Sequence, residues 1–184
     1  HVIALRARTG RPVLGICGGC QMLGRSILDP HGVESSQRES QGLGHLPLVT
    51  EFRPEKRTQQ VWATPTGQGL LFAQLDRALR VPGYFIHAGI TAADGACLFE
   101  VEEQGVSKRD GGVDESGGVA GSMVHGLFEH DGLRHAVIDR LLSLRGAAAR
   151  SAVASWDRQR DYDKLADALR AHCDTAWLDR LVGV

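Results

Sequence analysis

The sequence predicts an α/β fold, and three observations carry that expectation. A short apolar run, Val13-Leu14-Gly15-Ile16, stops at Cys17-Gly18-Gly19, after which Met22, Leu23, Ser26 and Ile27 recur with a helical period. Glycine is abundant, at 23 of 184 residues, and aromatic residues are sparse, at 5%, a composition suited to many tight strand–helix turns. Further short apolar stretches follow, and an amphipathic helical pattern closes the series.

In chain order, residues 2–8 (VIALRAR) read as the end of a helix closed by Gly10. The strand at 13–16 follows, with its helix running to about residue 28. Asp29-Pro30-His31-Gly32 is a turn by composition, and the polar stretch to Gly44 reads as a surface loop near the site. Residues 46–52 and 57–64 carry enough Val, Leu, Phe, Trp and Thr to be strands, joined by a turn at Arg53-Pro54-Glu55-Lys56. After a turn at Pro65-Thr66-Gly67-Gln68-Gly69, residues 70–79 suit a short helix or a strand equally. Residues 81–89 (VPGYFIHAG) read as a strand ending at glycine, and 96–101 as another short strand. Residues 105–118 (GVSKRDGGVDESGG) read as a mobile loop, and 119–127 (VAGSMVHGL) as a strand leading to His125. Leu133, Val137, Ile138, Leu141 and Leu142 mark an amphipathic helix between Asp131 and Gly146. A small-residue linker at 147–155 leads to a helix at 156–173, with Tyr162, Leu165, Leu169 and Cys173 on one side. Asp174 then caps a last short helix.

Length and composition bound the possibilities. A chain of 184 residues is long enough for one domain with a sizeable core. The formal net charge of −1 offers no electrostatic case for nucleic acid or an anionic membrane. No apolar run approaches the ~20 residues of a membrane span, and no signal peptide is visible. Four cysteines in such a chain read as free thiols in a reducing cytoplasm. The chain opens at His1 inside a helix-like segment, so a fragment of a longer polypeptide is expected.

A strand that ends at a nucleophile and turns into a helix is a nucleophile elbow, here G-x-C-x-G at Gly15–Gly19. The nucleophile of such a turn sits in a strained backbone, and neighbours without Cβ let strand and helix pack closely. The N–H groups that begin the helix can bind a developing oxyanion. Cys17 is therefore the candidate nucleophile. Two other readings stand beside it: a small buried hydrophobe, or one half of a Cys17-Gly18-Gly19-Cys20 redox pair. Zinc is not expected, because no second pair at ligand spacing follows. A cysteine nucleophile needs a base, and His is the usual one. His125 ends an apolar strand, where open α/β sheets hold their sites. His87 has a similar setting and is the rival base.

The motif Gly15-Ile16-Cys17-Gly18-Gly19-Cys20-Gln21-Met22-Leu23-Gly24 resembles the nucleophile motif of class I (triad) glutamine amidotransferase domains of the cobyric acid synthase type. Asp29-Pro30-His31-Gly32-Val33-Glu34, Gly42-Leu43-Gly44, Gly83-Tyr84-Phe85-Ile86-His87-Ala88-Gly89 and Val124-His125-Gly126-Leu127-Phe128 follow in that family's order. The tail from Asp161 to Arg170 is similar as well. A sister family, cobyrinic acid a,c-diamide synthase, shares the Cys and His blocks but resembles the rest less.

The resemblance implies a three-layer, flavodoxin-like open sheet, mostly parallel, with flanking helices. It implies that residues 1–184 are a glutaminase domain without its first strands and without an upstream synthetase domain. Cys17 would attack the glutamine carboxamide, Gly18 N–H would hold the oxyanion, Gln21 would contact bound glutamine, and His125 would transfer protons. Ammonia would pass to an N-terminal synthetase domain of the same polypeptide, which amidates carboxylates of a corrinoid acid. This domain would need no cofactor or metal, whereas ATP and Mg2+ would serve the synthetase domain; no G-x-x-x-x-G-K-[ST] occurs in this chain. The sequence also departs from the family. Cys20 stands where Tyr is usual, so the C-x-x-C reads as incidental and Cys20→Tyr is expected to leave Cys17 reactive. Phe85 and Ala88 replace the usual Glu and Met. Leu127 stands where most triad enzymes carry the orienting Glu, and Glu129 is only a nearby acid. A domain that docks a synthetase without turning over is the non-enzymatic alternative.

Overall fold

The computed structural model describes residues 2–148, 155 and 157–183. The chain divides into two compact units, His1–Ser151 and Ala152–Val184.

The first unit opens with α1 (Val2–Arg8), followed by β1 (Val13–Ile16), α2 (Gly18–Leu23), β2 (Ser26–Leu28) and β3 (Glu39–Gln41). Two long strands come next, β4 (Leu48–Pro65) and β5 (Val81–Ala93). Four short ones follow: β6 (Phe99–Glu103), β7 (Val106–Asp110), β8 (Gly112–Val113) and β9 (Val119–Ser122). One turn of 3-10 helix at Leu127–Glu129 leads into α3 (Asp131–Leu144).

The strands form two sheets. In the three-stranded sheet β1 lies parallel to β9, with Val13 opposite Val119 and Ile16 opposite Ser122, and β8 is antiparallel to β9. This is the parallel, elbow-bearing part that the sequence predicts. A larger six-stranded sheet stands in addition to it. There β2 is parallel to β4, while β3, β5, β6 and β7 add antiparallel pairings. Val49 pairs with both Ser26 and Ala92, and Trp62 with both Pro82 and Glu102, so β5 runs along one edge of β4 while β2 and β6 share the other.

Several boundaries differ from the sequence reading for local reasons. The elbow helix stops at Leu23, and Ser26 and Ile27 lie in β2. A Cβ on Gly24 would come 2.8 Å from the Leu48 carbonyl oxygen, and the Arg25 N–H donates to that oxygen at 2.7 Å. The chain is thus drawn onto β4 rather than continued as helix. Arg53-Pro54-Glu55-Lys56 is no turn: β4 is continuous, and a register shift between Glu51 and Lys56 absorbs the proline, which cannot donate to a ladder. The stretch read as a mobile loop at 105–118 contains β7 and β8. Residues 70–79 form turns, the strand at 96–101 starts at Phe99, and the strand at 119–127 ends at Ser122.

The core lies between these layers. Phe72 and Phe99, both fully buried, meet edge to face with centroids 5.5 Å apart. α3 contributes Leu133 and Val137 to this core. His130 caps α3, its Nδ1 accepting from the Leu133 N–H at 3.3 Å.

The second unit holds α4 (Arg158–His172) and α5 (Thr175–Val182). Asp157 caps α4 through the Arg160 N–H at 3.1 Å, and Asp174 caps α5 through the Trp177 N–H at 3.0 Å. Residues 149–154 and Trp156, read as linker and helix start, lie outside the described residues. Among the described residues no helix is long and apolar enough to cross a membrane.

Candidate active site

Cys17 stands one residue beyond β1, as the N-cap of α2, with φ 51° and ψ −115°. A positive φ is sterically unfavourable for any residue with a Cβ, and among the described residues only Cys17 and Gln104 combine the two. The Cys17 N–H donates to the Ser122 carbonyl at 2.9 Å, extending the β1–β9 ladder past its last pair. The strained turn is thereby held from the neighbouring strand.

The three glycines around it serve two purposes. A Cβ on Gly15 would lie 2.6 Å from the Gly19 oxygen and 2.7 Å from Leu23 Cδ1, so strand and helix can meet only at a glycine. At Gly18 and Gly19 a Cβ would meet nothing within 4 Å. These two are not needed for packing, contrary to the sequence reading; they keep the space before the elbow clear. Gly18 is the first residue of α2, so its N–H has no partner within the helix. Gln21 is buried at 7% exposure, and its N–H donates to the Cys17 carbonyl at 3.0 Å.

His125 lies just past β9, the parallel neighbour of β1, so both residues follow the C-terminal ends of adjacent strands. It exchanges two backbone hydrogen bonds with Tyr84, at 2.9 and 3.1 Å. Its ring stacks on that of Tyr84. This approach requires Gly83, where a Cβ would come 2.4 Å from Val124 Cγ1 and 2.7 Å from the His125 oxygen. The Nε2 of His125 is buried and, among the described residues, has no hydrogen-bond partner. A buried nitrogen in that condition costs free energy unless something that enters the site meets it.

His87 differs. Its Nδ1 is paired with the Gly89 carbonyl at 3.0 Å, and its ring meets Phe85 edge-on at 5.4 Å. Burial lowers its pKa, the bond to Gly89 opposes this, and the charges of Arg57 and His125 lower it further. It lies within the electrostatic reach of His125 but already has a ring partner. Phe85, standing where the family favours Glu, is a core residue under the Arg57 guanidinium, 4.5 Å from the ring centroid. Glu129 is exposed on the single 3-10 turn. The sequence reading missed Tyr84, although it lies inside the quoted glycine-rich block; stacking between β5 and a residue past β9 has no periodic signature.

Residues 2–133 match the family described as the CobB/CobQ-like glutamine amidotransferase domain, a span that includes both Cys17 and His125. The chain belongs to this amidotransferase family.

Within it, the chain is 40% identical over 201 residues to the cobyric acid synthase of Sorangium cellulosum (strain So ce56), covering 100% of this chain and 38% of that protein. It is 39% identical over 186 residues to the cobyric acid synthase of Syntrophobacter fumaroxidans (strain DSM 10017 / MPOB), covering 96% and 36%. The chain thus spans little more than a third of the length of these relatives. Among solved structures, PurLQS from Thermotoga maritima shares the fold, with a TM-score of 0.55 at 18% identity over 78% of this chain and 66% of that one.

In this amidotransferase domain Cys20 is a core residue at 0% exposure. Burial pushes its thiol up to about 12, and the charges of Asp110 and Cys17 add to that. Such a thiol is a poor partner for thiol–disulfide exchange. A Cβ on Gly121 would sit 2.6 Å from its Sγ, so the site has no spare volume. Cys20→Tyr, harmless on the sequence reading, would overfill it. Among the described residues no group of three or more His, Cys, Asp or Glu could hold a metal ion.

Proposed function

We propose that this amidotransferase domain hydrolyses glutamine through a thioester on Cys17. The observation that carries the reading is the pairing of a strained cysteine at the end of β1 with a histidine past the adjacent strand whose buried Nε2 is unpartnered. The Cys17 sulfur adds to the side-chain carbonyl carbon of glutamine. The Gly18 N–H donates to the oxyanion that forms, while Gln21 contacts the bound glutamine. The C–N bond then breaks, and the proton that His125 received from the thiol goes to the leaving nitrogen, releasing ammonia. In the second half His125 takes a proton from water. The resulting hydroxide adds to the thioester, the C–S bond breaks, and glutamate leaves.

Ammonia then serves an N-terminal synthetase domain of the same polypeptide, consistent with the fraction of its relatives that this chain spans. That domain uses ATP and Mg2+ to amidate corrinoid carboxylates, the cobyric acid step of cobalamin biosynthesis, in the cytoplasm. Residues 1–184 are the glutaminase part.

The test is covalent labelling with a diazo-ketone analogue of glutamine, followed by mass spectrometry of the peptides. The label is expected on Cys17 and is lost in Cys17→Ala. Label on Cys97 or Cys173 with Cys17 free would overturn the assignment.

A further inference from the structure

Asp110, the last residue of β7, is buried at 6% exposure, and the glutaminase steps above make no use of it. It belongs to the six-stranded sheet but reaches into the other one. Its Oδ2 accepts from the Ser122 hydroxyl at 2.6 Å, and its Oδ1 accepts from the Met123 N–H at 3.2 Å. The Ser122 oxygen accepts in turn from the Val124 N–H at 3.1 Å. The Ser122 carbonyl takes the Cys17 N–H at 2.9 Å, and His125 follows directly after Val124. The chain is shaped for this contact. Gly111 has φ +70°, and a Cβ there would come 1.9 Å from the Gly121 oxygen, so only glycine lets β7 close on β9 at this point.

We propose that Asp110 is a positioning residue of the glutaminase, its carboxylate clamping the Ser122–Met123–Val124 turn that holds the Cys17 backbone at one end and carries His125 at the other. The inference rests on the reading of Cys17 and His125 given above. Three features favour this role over simple packing. A buried carboxylate is a costly way to fill a core, and here its two oxygens meet two donors of a single turn. Burial pushes its carboxyl up to about 6, while the Ser122 and Met123 hydrogen bonds and the Arg57 charge pull it back. The turn it grips is also the only segment between Ser122, which holds the elbow, and His125.

Asp110→Asn keeps the shape but leaves one oxygen for two donors. In the full-length protein, glutamate release, diazo-ketone labelling and thermal unfolding are measured at pH 7.5 for wild type, Asp110→Asn, Ser122→Ala and the double variant. Cys17→Ala and His125→Ala run alongside. Asp110→Asn is expected to lower glutaminase kcat by roughly 10- to 100-fold. KM should stay within about twofold and Tm should be no lower than wild type, with the double variant no worse than the weaker single one. A purely structural role would lower Tm and kcat together, and that result overturns the proposal. So does kcat within about twofold of wild type in Asp110→Asn while Cys17→Ala and His125→Ala are dead; the glutaminase reading then survives. Full activity in Cys17→Ala and His125→Ala would sink that reading itself. Should Asp110→Asn not fold, Ser122→Ala decides by the same criteria.

Discussion

His125 lies against Tyr84 with ring centroids 5.2 Å apart and planes inclined by 16°, and the same two residues are bridged through their backbones. The imidazole is therefore held on one face by a ring, while β5 holds the backbone that carries it. Gly126, at φ 79°, keeps the chain clear: a Cβ there would lie 3.3 Å from Tyr84 Cε1.

Removing the ring should loosen the imidazole without removing it. Such ring contacts contribute about 0.5–1.5 kcal/mol, so Tyr84→Ala is expected to lower glutaminase kcat by about threefold to tenfold. Tyr84→Phe keeps the ring and should stay within about twofold of wild type. Steady-state glutamate release checks both; equal losses would place the effect in the hydroxyl instead.

His125→Ala should separate the two nitrogen sources. Loss of a general acid–base lowers the glutamine-dependent reaction by roughly 10²–10⁴-fold. Ammonium salts bypass the glutaminase, so ammonia-dependent amidation by the full-length protein should be spared. Equal loss with both donors would assign His125 to folding or docking.

The glycines around the elbow should respond differently to one methyl group. At Gly15 it meets the Gly19 backbone, so Gly15→Ala should cost about 1–3 kcal/mol and lower Tm by several degrees. At Gly18 it meets nothing within 4 Å, so Tm should hold. The methyl would still stand beside Cys17, and KM for glutamine is expected to rise about tenfold or more as it enters the space kept open there. Thermal melts and glutaminase kinetics on both variants read the contrast.

Asp110 makes stability depend on pH in an unusual direction. Its folded pKa of about 6 lies above the ordinary 3.8, so the folded protein holds this proton more tightly than the unfolded chain does. The stabilisation from that proton is complete below pH 3.8 and disappears as pH rises to about 6. Facing groups are the buried Cys20 thiol, which the Asp110 charge raises, and Arg57, whose charge lowers Asp110. Relative to Asp110→Asn, wild type should lose up to about 3 kcal/mol across this window. Urea unfolding of both proteins between pH 3.5 and 7.5 measures it; a constant difference would mean that Asp110 does not titrate there.

The elbow was legible because its signals are local: an apolar run, a cysteine, and glycines at fixed offsets. The helix end was not, since Ser26 and Ile27 fit a helical period and only contact with Leu48 turns them into a strand. β7 escaped notice because Val106 to Arg109 are all exposed, which erases the alternation that marks a half-buried strand. Asp110 sits in the same polar run, Arg109-Asp110-Gly111-Gly112, and nothing near it in sequence shows that its partners are Ser122 and Met123. His125 could be picked out by its place after an apolar strand, but its support by Tyr84 depends on a pairing that no local pattern encodes.

The parallel seam between β1 and β9 joins segments roughly a hundred residues apart, and such long-range pairings form late in folding because the intervening loop must close first. During synthesis Cys17 leaves the ribosome long before Ser122 exists to receive its N–H, and before His125 has been made. The nascent chain therefore carries an ordinary cysteine. On the mechanism proposed above, its activation waits on the arrival of β9, so the site is completed only once the chain has been made through His125.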